Sequence, residues 1–190
     1  MKIQKIFEKT LPKSYENIYA WEQWIKIRNS GKFSKTEVGG DFQCDKNQLT
    51  SIKGSPLIVD GGFKCSLNLL QNLIGGPERV GWSLNCSNNL IETINGFPKW
   101  VGENINSENN QLTSLQNIHK QILHIGGFLN LTKNPIKSHI LGILLIKELK
   151  EVYANGRQFT IINDHIEGDK DVLECQEELI SAGYKEFAKL

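Results

Sequence analysis

The segment CDKNQL (Cys44–Leu49) is written again as CSLNLL (Cys65–Leu70), CSNNLI (Cys86–Ile91) and SENNQL (Ser107–Leu112). Each copy begins 21 residues after the copy before it. A fifth copy, LTKNPI (Leu131–Ile136), follows at a longer spacing of 24 residues. A fixed period of this length is typical of a solenoid, in which each repeat forms one coil and buries its apolar face against its neighbours.

The residues around each copy repeat with the same period and indicate how one coil is built. Apolar and polar residues alternate at 63–66, which predicts a short strand with Phe63 and Cys65 pointing inward. Asn68 leaves this strand, and we expect its amide to cap backbone groups and to bond the stacked Asn of the next coil. Gly81 and Gly102 predict close approach of backbones where a strand begins. Three apolar sets recur in register: Phe42, Phe63, Leu84 and Ile105; Ile52, Leu73, Ile94 and Leu115; and Val59, Val80, Val101 and Ile122.

The pattern Phe-x-Cys-x-x-Asn-x-Leu at 63–70 resembles the L-x-L-x-x-N-x-L core of leucine-rich repeats. The Gly-x-Pro back half, as at 75–77, is similar to short repeats of bacterial and tailed-phage proteins. The resemblance implies a right-handed solenoid whose parallel sheet lines a concave face, and no helix is predicted in the back half. The expected fold is an α/β solenoid of about five coils at 39–136, with a helical N-terminal cap at 1–38 and an α/β C-terminal cap at 137–190.

The predicted N-terminal cap contains an aromatic helix from Tyr15 to about Arg28, for which Ser14 is a suitable N-cap. Two interpretations stay open. The helix covers the open edge and apolar core of the first coil, or some of its rings form an exposed binding patch, since Trp and Tyr are favoured interface anchors. Trp21 is the ring most expected to remain outside.

After the array the apolar spacing changes. Residues from Ile136 to about Val152 predict a helix, 159–162 a strand, and a last helix begins at Asp169 or Asp171. Cys175 shares an apolar face of that last helix and is predicted to lie in the core.

Catalysis, metal binding and cofactor binding are not expected. Three of the four cysteines, Cys44, Cys65 and Cys86, occupy one repeat position that Ser107 and Leu131 also fill, which is typical of a small buried slot. Thiols stacked at the roughly 4.8 Å spacing of parallel strands fall in a line, unlike the tetrahedral ligands of zinc. The sequence contains no histidine pair of the metalloprotease type, no nucleophile elbow and no phosphate-binding loop.

Charge and hydropathy argue against two classes of partner. Lys and Arg number 22 against 21 Asp and Glu, so no net field draws the chain to nucleic acid or to an anionic membrane. An apolar run of about 18 residues is absent, and the first residues lack the apolar segment of a secretory signal. These features predict a cytoplasmic protein, in the host cytoplasm if a phage encodes it.

Alternate strand residues point away from the predicted core and form the candidate binding surface. Two interpretations stay open: the solvated side of a sheet, or a recognition surface like the concave face of the proteins that this chain resembles. Trp82 and Trp100 interrupt the repeat at positions where the fold does not require a ring, so both join Trp21 as candidate aromatic contacts. The strand candidates are Gln43, Asp45, Lys64, Ser66, Asn85, Ser87, Asn106, Glu108 and Asn130.

The leading functional hypothesis is a non-enzymatic intracellular module that binds another protein through this polar surface, as a phage or bacterial host-interaction factor. The rival is a protein that sequesters a small polar ligand, a metabolite or nucleotide of host defence signalling, in an amide-rich pocket between the solenoid and a cap. A third possibility is a structural accessory protein. Composition does not separate the three.

Overall fold

The computed structural model describes residues 37–168 and 171–190. The helix predicted from Tyr15 to Arg28, and with it Trp21, lies outside the described residues. So does the rest of the predicted N-terminal cap except residues 37 and 38, which form a strand. From there the chain winds into stacked coils whose strands form two parallel sheets.

Two sheets run along the stack, where the repeats predicted one. Sheet A contains the Val position of each repeat, sheet B contains the Phe position, and neighbouring strands in both are parallel. The predicted α/β solenoid is confirmed, with six strands in sheet B. Sheet A consists of β1 (Glu37–Val38), β3 (Ile58–Val59), β5 (Arg79–Val80), β7 (Trp100–Val101) and β9 (His124–Ile125), and sheet B of β2 (Phe42–Gln43), β4 (Phe63–Lys64), β6 (Leu84–Asn85), β8 (Ile105–Asn106), β10 (Phe128–Asn130) and β11 (Glu151–Tyr153).

The core lies between the two sheets and is built from the inward repeat positions. Phe42 and Phe63 are fully buried and stack with ring centroids 5.1 Å apart. Val59 of sheet A and Cys65, directly after β4 of sheet B in the same coil, are also fully buried. Because every coil places a side chain of similar size at each position, one apolar core continues through the whole stack.

A tight corner joins sheet A to sheet B in each coil, and in two of these corners, at Gly81 and Gly102, the first position has space only for glycine. A Cβ built on Gly81 would overlap the carbonyl oxygen of Asp60, and one on Gly102 would overlap that of Gly81. Two backbones approach here with no space for a side chain between them. The predicted close approach at Gly81 and Gly102 is therefore confirmed.

The fourth coil departs from the predicted register. The repeat period aligned Ile122 with Val101, whereas the structure pairs Val101 with Ile125. The three additional residues are taken up by α1 (Ile118–Gln121), one helical turn inserted before the strand. This turn also corrects the expectation of a back half without helix.

The asparagine column caps backbone groups as predicted, but its side chains do not bond one another. Asn47 bonds Asn68 only through its backbone N–H, which donates to Asn68 Oδ1 at 2.9 Å. Asn89 is buried, and its Oδ1 accepts from the Leu70 backbone N–H at 3.1 Å. Its Nδ2 donates to the carbonyl oxygens of Cys65 and Cys86, each at 3.0 Å. One side chain thus joins its own coil to the preceding coil. Equivalent bonds are made by Asn68, Asn110 and Asn134.

The helix predicted from Ile136 to Val152 is wrong. That stretch forms one further coil, with a 3-10 helix at Leu141–Leu145 and the edge strand β11. Its apolar residues are spaced closely enough to suggest a helical face, yet Ile140, Leu144 and Leu149 fill inward positions of the coil, and Leu145 is exposed. Stacking on the coil before buries them without a regular helix.

The last part of the chain is two helices, α2 (Arg157–Glu167) and α3 (Val172–Ser181). The strand predicted at 159–162 is wrong, because Phe159, Ile162 and Ile166 are buried at helical spacing against the coil core. The start of the last helix is confirmed at Asp171, whose side chain accepts from the backbone N–H groups of the second and third residues after it. Cys175 is fully buried, as predicted.

Helix α2 also covers the open edge of sheet B. The Asn163 side chain accepts from the Val152 backbone N–H through Oδ1 and donates to the Val152 carbonyl oxygen through Nδ2, both at 2.9 Å. An amide of the helix thereby takes the place of the next strand. An exposed edge would otherwise offer these groups to another chain.

We expect Asn89→Ala to lower the free energy of unfolding by about 1–3 kcal/mol, because the buried Leu70 N–H loses its acceptor. Denaturant unfolding followed by circular dichroism measures the change. Asn95→Ala is the matched control: Asn95 is exposed, and we expect less than about 0.5 kcal/mol. Equal effects of the two substitutions would show that the column bonds do not stabilise the coils.

Candidate binding surface

Sheet B presents one row of polar side chains on its outer face. Gln43, Lys64, Asn85, Asn106 and Asn130 follow one another in register across five strands. All five are half-buried, with neighbours roughly 4.8 Å apart along the row. The structure thus brings together five of the predicted strand candidates.

The three asparagines of this row are held in one orientation. Asn85 Oδ1 accepts from the Ser87 backbone N–H at 3.1 Å and from the Ser87 hydroxyl at 2.8 Å. Asn106 Oδ1 accepts from the Glu108 N–H at 3.1 Å, and Asn130 Oδ1 accepts from the backbone N–H and hydroxyl of Thr132. Each carbonyl oxygen is therefore occupied within its own coil. The Nδ2 groups have no hydrogen-bond acceptor among the described residues, so sheet B presents three oriented amide donors.

The second row, two residues further along each strand, is less uniform than predicted. Asp45, Ser66 and Glu108 are half-buried at the surface, and Glu108 pairs with Lys133 at 2.7 Å. Ser87 is only 5% exposed, and its hydroxyl is bonded to Asn85. The prediction of Ser87 as a contact residue is therefore corrected: it orients Asn85 and does not reach a partner.

One ion pair lies near the first end of the sheet B row, and one phenol lies at the other end. Lys64 Nζ lies 2.7 Å from Asp41 Oδ2, and this contact holds the pKa of the Asp41 carboxyl below its ordinary value. At the other end the Tyr153 hydroxyl donates to Glu151 at 2.6 Å, which raises the pKa of the phenol. Tyr153 continues the row in register with Asn130. Sequence reasoning missed it because its coil was predicted to be a helix.

Trp82 and Trp100, the two described aromatic candidates, have opposite environments. Trp100 lies on the outer face of sheet A, with the Arg79 guanidinium 3.6 Å from the centre of one ring face and His124 stacked on the indole at 4.8 Å. Its faces are thus taken by the chain itself, and the expectation that the fold has no use for this ring is wrong. Trp82 is 59% exposed at the corner between the sheets.

The thiols of the repeat lie inside the core, away from either outer face. Cys44, Cys65 and Cys86 are fully buried, and all are free. Burial raises the pKa of the Cys86 thiol to about 12 and those of the other two well above their ordinary value. Thiolate is the reactive form, so these groups are chemically inert in the folded chain. No set of three metal-ligating side chains is gathered within residues 37–168 and 171–190.

A polar pocket of about 400 Å³ opens on the turn side of the coils, beside α1. The inserted turn forms one wall, and the Gln121 side chain ties that wall to the preceding coil by donating to the Phe97 carbonyl oxygen at 2.5 Å. It lies between coils of the array and not against a terminal cap. Its lining residues are Glu92, Thr93, Ile94, Asn95, Thr113, Ser114, Gln116, Asn117, Lys120 and Gln121.

Comparison of the chain with models of protein families, with curated proteins and with solved structures finds no match. None of the helices in the described part of the chain has the length and apolar character needed to cross a bilayer. Function is therefore inferred from the geometry of the chain's own residues.

We expect Cys44, Cys65 and Cys86 to resist alkylation by iodoacetamide at pH 8 in the native state and to react fully in denaturant, because burial keeps them as thiols. Mass spectrometry of the labelled peptides measures the modified fraction at each site. Rapid labelling of these three cysteines in the native state would contradict their placement in the core.

Proposed function

We propose that the chain is a non-enzymatic binding module that engages another protein through the outer face of sheet B. The observation that carries this proposal is the row of three amide donors at Asn85, Asn106 and Asn130, each oriented by bonds to its own coil. Donors that point outward at a fixed spacing suit acceptors on the surface of a partner.

Rigidity supports this use of the face. The row stands on strands packed against a fully buried core, so little conformational entropy is lost when its side chains meet a partner. Groups held by packing and by neighbouring hydrogen bonds also recognise their targets more selectively than mobile side chains do. The oriented amides favour a recognition surface over a sheet face that only contacts solvent, because such a face does not need its amides to be oriented.

The proposed biological role follows from the resemblance of the repeats to leucine-rich repeats. The 21-residue coils are consistent with leucine-rich repeats, and we place the chain among the short repeats of bacterial and tailed-phage proteins. In that setting it acts in the cytoplasm, of the host if a phage encodes it, as a host-interaction factor.

The test is an Asn85→Arg, Asn106→Arg double variant used as bait in a bacterial lysate. Two bulky cations then stand in the middle of the row. We expect the variant to fold, because both side chains lie on the outer face, and to capture the wild-type partner at least about tenfold less, equivalent to about 1.4 kcal/mol. Quantitative mass spectrometry of the captured protein measures the ratio.

The matched control is Gln71→Arg, Gln111→Arg, which adds the same charge at two exposed positions beyond the strands of sheet B. Its capture should equal that of the unmodified chain. Equal capture by all three baits would place the interface elsewhere and overturn the proposal. Circular dichroism of each bait separates lost binding from lost folding.

The pocket beside α1 supports a second candidate function, the sequestering of a small polar ligand. It offers amide, hydroxyl, ammonium and carboxylate groups in a volume of about 400 Å³. We expect the ligand to be released by heat denaturation, and a Thr113→Trp variant, which fills the pocket, to carry at least about tenfold less. Mass spectrometry of the released fraction measures the amount. Gln111→Trp, at an exposed position outside the pocket, is the control, and equal loads in both variants would exclude this site.

A further inference from the structure

The corner between sheets A and B forms a strip that continues from the proposed binding face. In three successive coils it consists of residues 60–62, 81–83 and 102–104, the last two leading directly into β6 and β8. A partner that covers Asn85 and Asn106 therefore also reaches the side chains of this strip. The inference below rests on the proposed protein-binding function and specifies the kind of side chain that the partner presents.

Trp82 stands at the centre of the strip with its ring in solvent. Its indole is 59% exposed, and among the described residues neither an aromatic ring nor a cation stacks on it. Trp82 is joined through its backbone to Gly61 in the preceding coil and to Glu103 in the next. A large apolar ring with a bare glycine on one side is accessible to a partner. Exposed Trp is among the residues that most often anchor interfaces.

The carboxylate of Glu103 is held in place beside this ring position. The Ser83 hydroxyl donates to Glu103 Oε2 at 2.9 Å and accepts from the Asn104 backbone N–H at 3.3 Å. Glu103 also bonds through its backbone N–H to the Trp82 carbonyl oxygen at 3.0 Å, so the two residues are neighbours across one strand spacing. One carboxylate oxygen is fixed by the serine, and the other is left to a partner.

Two carboxylates of the strip form no ion pair with a cation of the described residues. Its corner positions include Asp41, Asp60 and Glu103, with no Lys or Arg among residues 39–41, 60–62, 81–83 and 102–104. Asp41 is paired with Lys64, whereas no cation of the described residues pairs with Asp60 or Glu103. These two carboxylates belong to the coils before and after Trp82. The Glu103 carboxylate, one strand spacing from Trp82, is therefore available to a cation.

The chain itself shows how a cation uses a tryptophan in this fold. On sheet A the guanidinium of Arg79 lies 3.6 Å from the ring centre of Trp100, one strand away. The negative face of the indole attracts a cation, most strongly where water is excluded. Trp82 offers the same ring, with no cation of the described residues stacked on it.

We propose that Trp82 and Glu103 form the subsite for an arginine or lysine side chain of the protein partner. The cation lies over the indole, and its N–H groups bond the free oxygen of Glu103. An arginine suits the site best, because its planar guanidinium stacks on a ring and bonds a carboxylate at the same time. The three amide donors of sheet B then contact acceptors of the adjoining partner segment.

The experiment titrates the isotope-labelled chain with the peptide acetyl-Gly-Arg-Gly-amide and follows the indole N–H resonance of Trp82 by NMR. We expect a saturable shift of this resonance and of the Glu103 backbone N–H. The shift of the Glu103 N–H should be lost in Trp82→Leu, and binding should be about threefold to tenfold weaker in Glu103→Gln. Acetyl-Gly-Gln-Gly-amide, which lacks the charge, should cause no saturable shift. Higher salt should weaken binding of the arginine peptide, because salt screens the attraction between its charge and an exposed carboxylate.

Glu177→Gln is the matched control, since Glu177 is an exposed carboxylate on α3, outside the strip and outside the pocket. Binding of the arginine peptide should be unchanged in this variant. Equal shifts with both peptides, or an unchanged affinity in Glu103→Gln, would overturn the inference. So would the absence of any saturable shift.

The two proposals fail in different ways. If the Asn85→Arg, Asn106→Arg bait loses the partner while Trp82→Leu and Glu103→Gln baits retain it, sheet B binds but the cation subsite is wrong. If the arginine peptide binds at Trp82 and no bait differs in capture, the subsite exists and the proposed interface on sheet B is wrong.

Discussion

The hydrogen bonds of the buried asparagine column are the constraint on which the rest of the structure depends. Asn68 accepts from the Leu49 N–H at 3.0 Å and donates to the carbonyl oxygens of Cys44 and Cys65 at 2.9 and 3.0 Å. These backbone groups lie where the chain leaves sheet B and turns, so no strand partner satisfies them. Burying them unpaired would cost about 1–3 kcal/mol each. One amide per coil removes that cost and fixes the distance between neighbouring coils.

Once the stacking is fixed, outer positions are free to carry function. A core that needs one apolar residue of a given size at each inward position leaves the alternate residues unconstrained, because they point to solvent. Two different surfaces result. Sheet A uses its outer face internally, in the stack of Arg79, Trp100 and His124. Among the described residues, sheet B and the adjoining corner leave three amide donors without acceptors, an indole with no ring or cation stacked on it, and one free oxygen of Glu103. The proposals of a protein-binding face and of its cation subsite lie there for this reason.

The regular coils were predictable because their period is visible in the sequence, and the inward columns of Phe, Val and Cys are found in the core as expected. Prediction failed where the period stretched. Ile122 was placed in the column that Ile125 fills, and the coil at 136–153 was taken for a helix. A hydrophobic spacing of three and four residues fits both a helical face and the inward corners of a coil, and only stacking on a neighbour separates the two.

The sequence by itself determined the coil, its inward side chains and the outward strand residues of the candidate surface, since each follows from periodicity and alternation. It did not reveal the second sheet, the burial of Ser87, the difference between Trp82 and Trp100, or the left-handed backbone with φ of 55° at Leu67 and at Asn88 just before the asparagine column. Those features were decided by the tertiary structure. Each depends on which groups of the neighbouring coil lie opposite. Contacts between coils join residues about 21 positions apart, as between Asn88 and Asn109, and a local sequence pattern does not predict them.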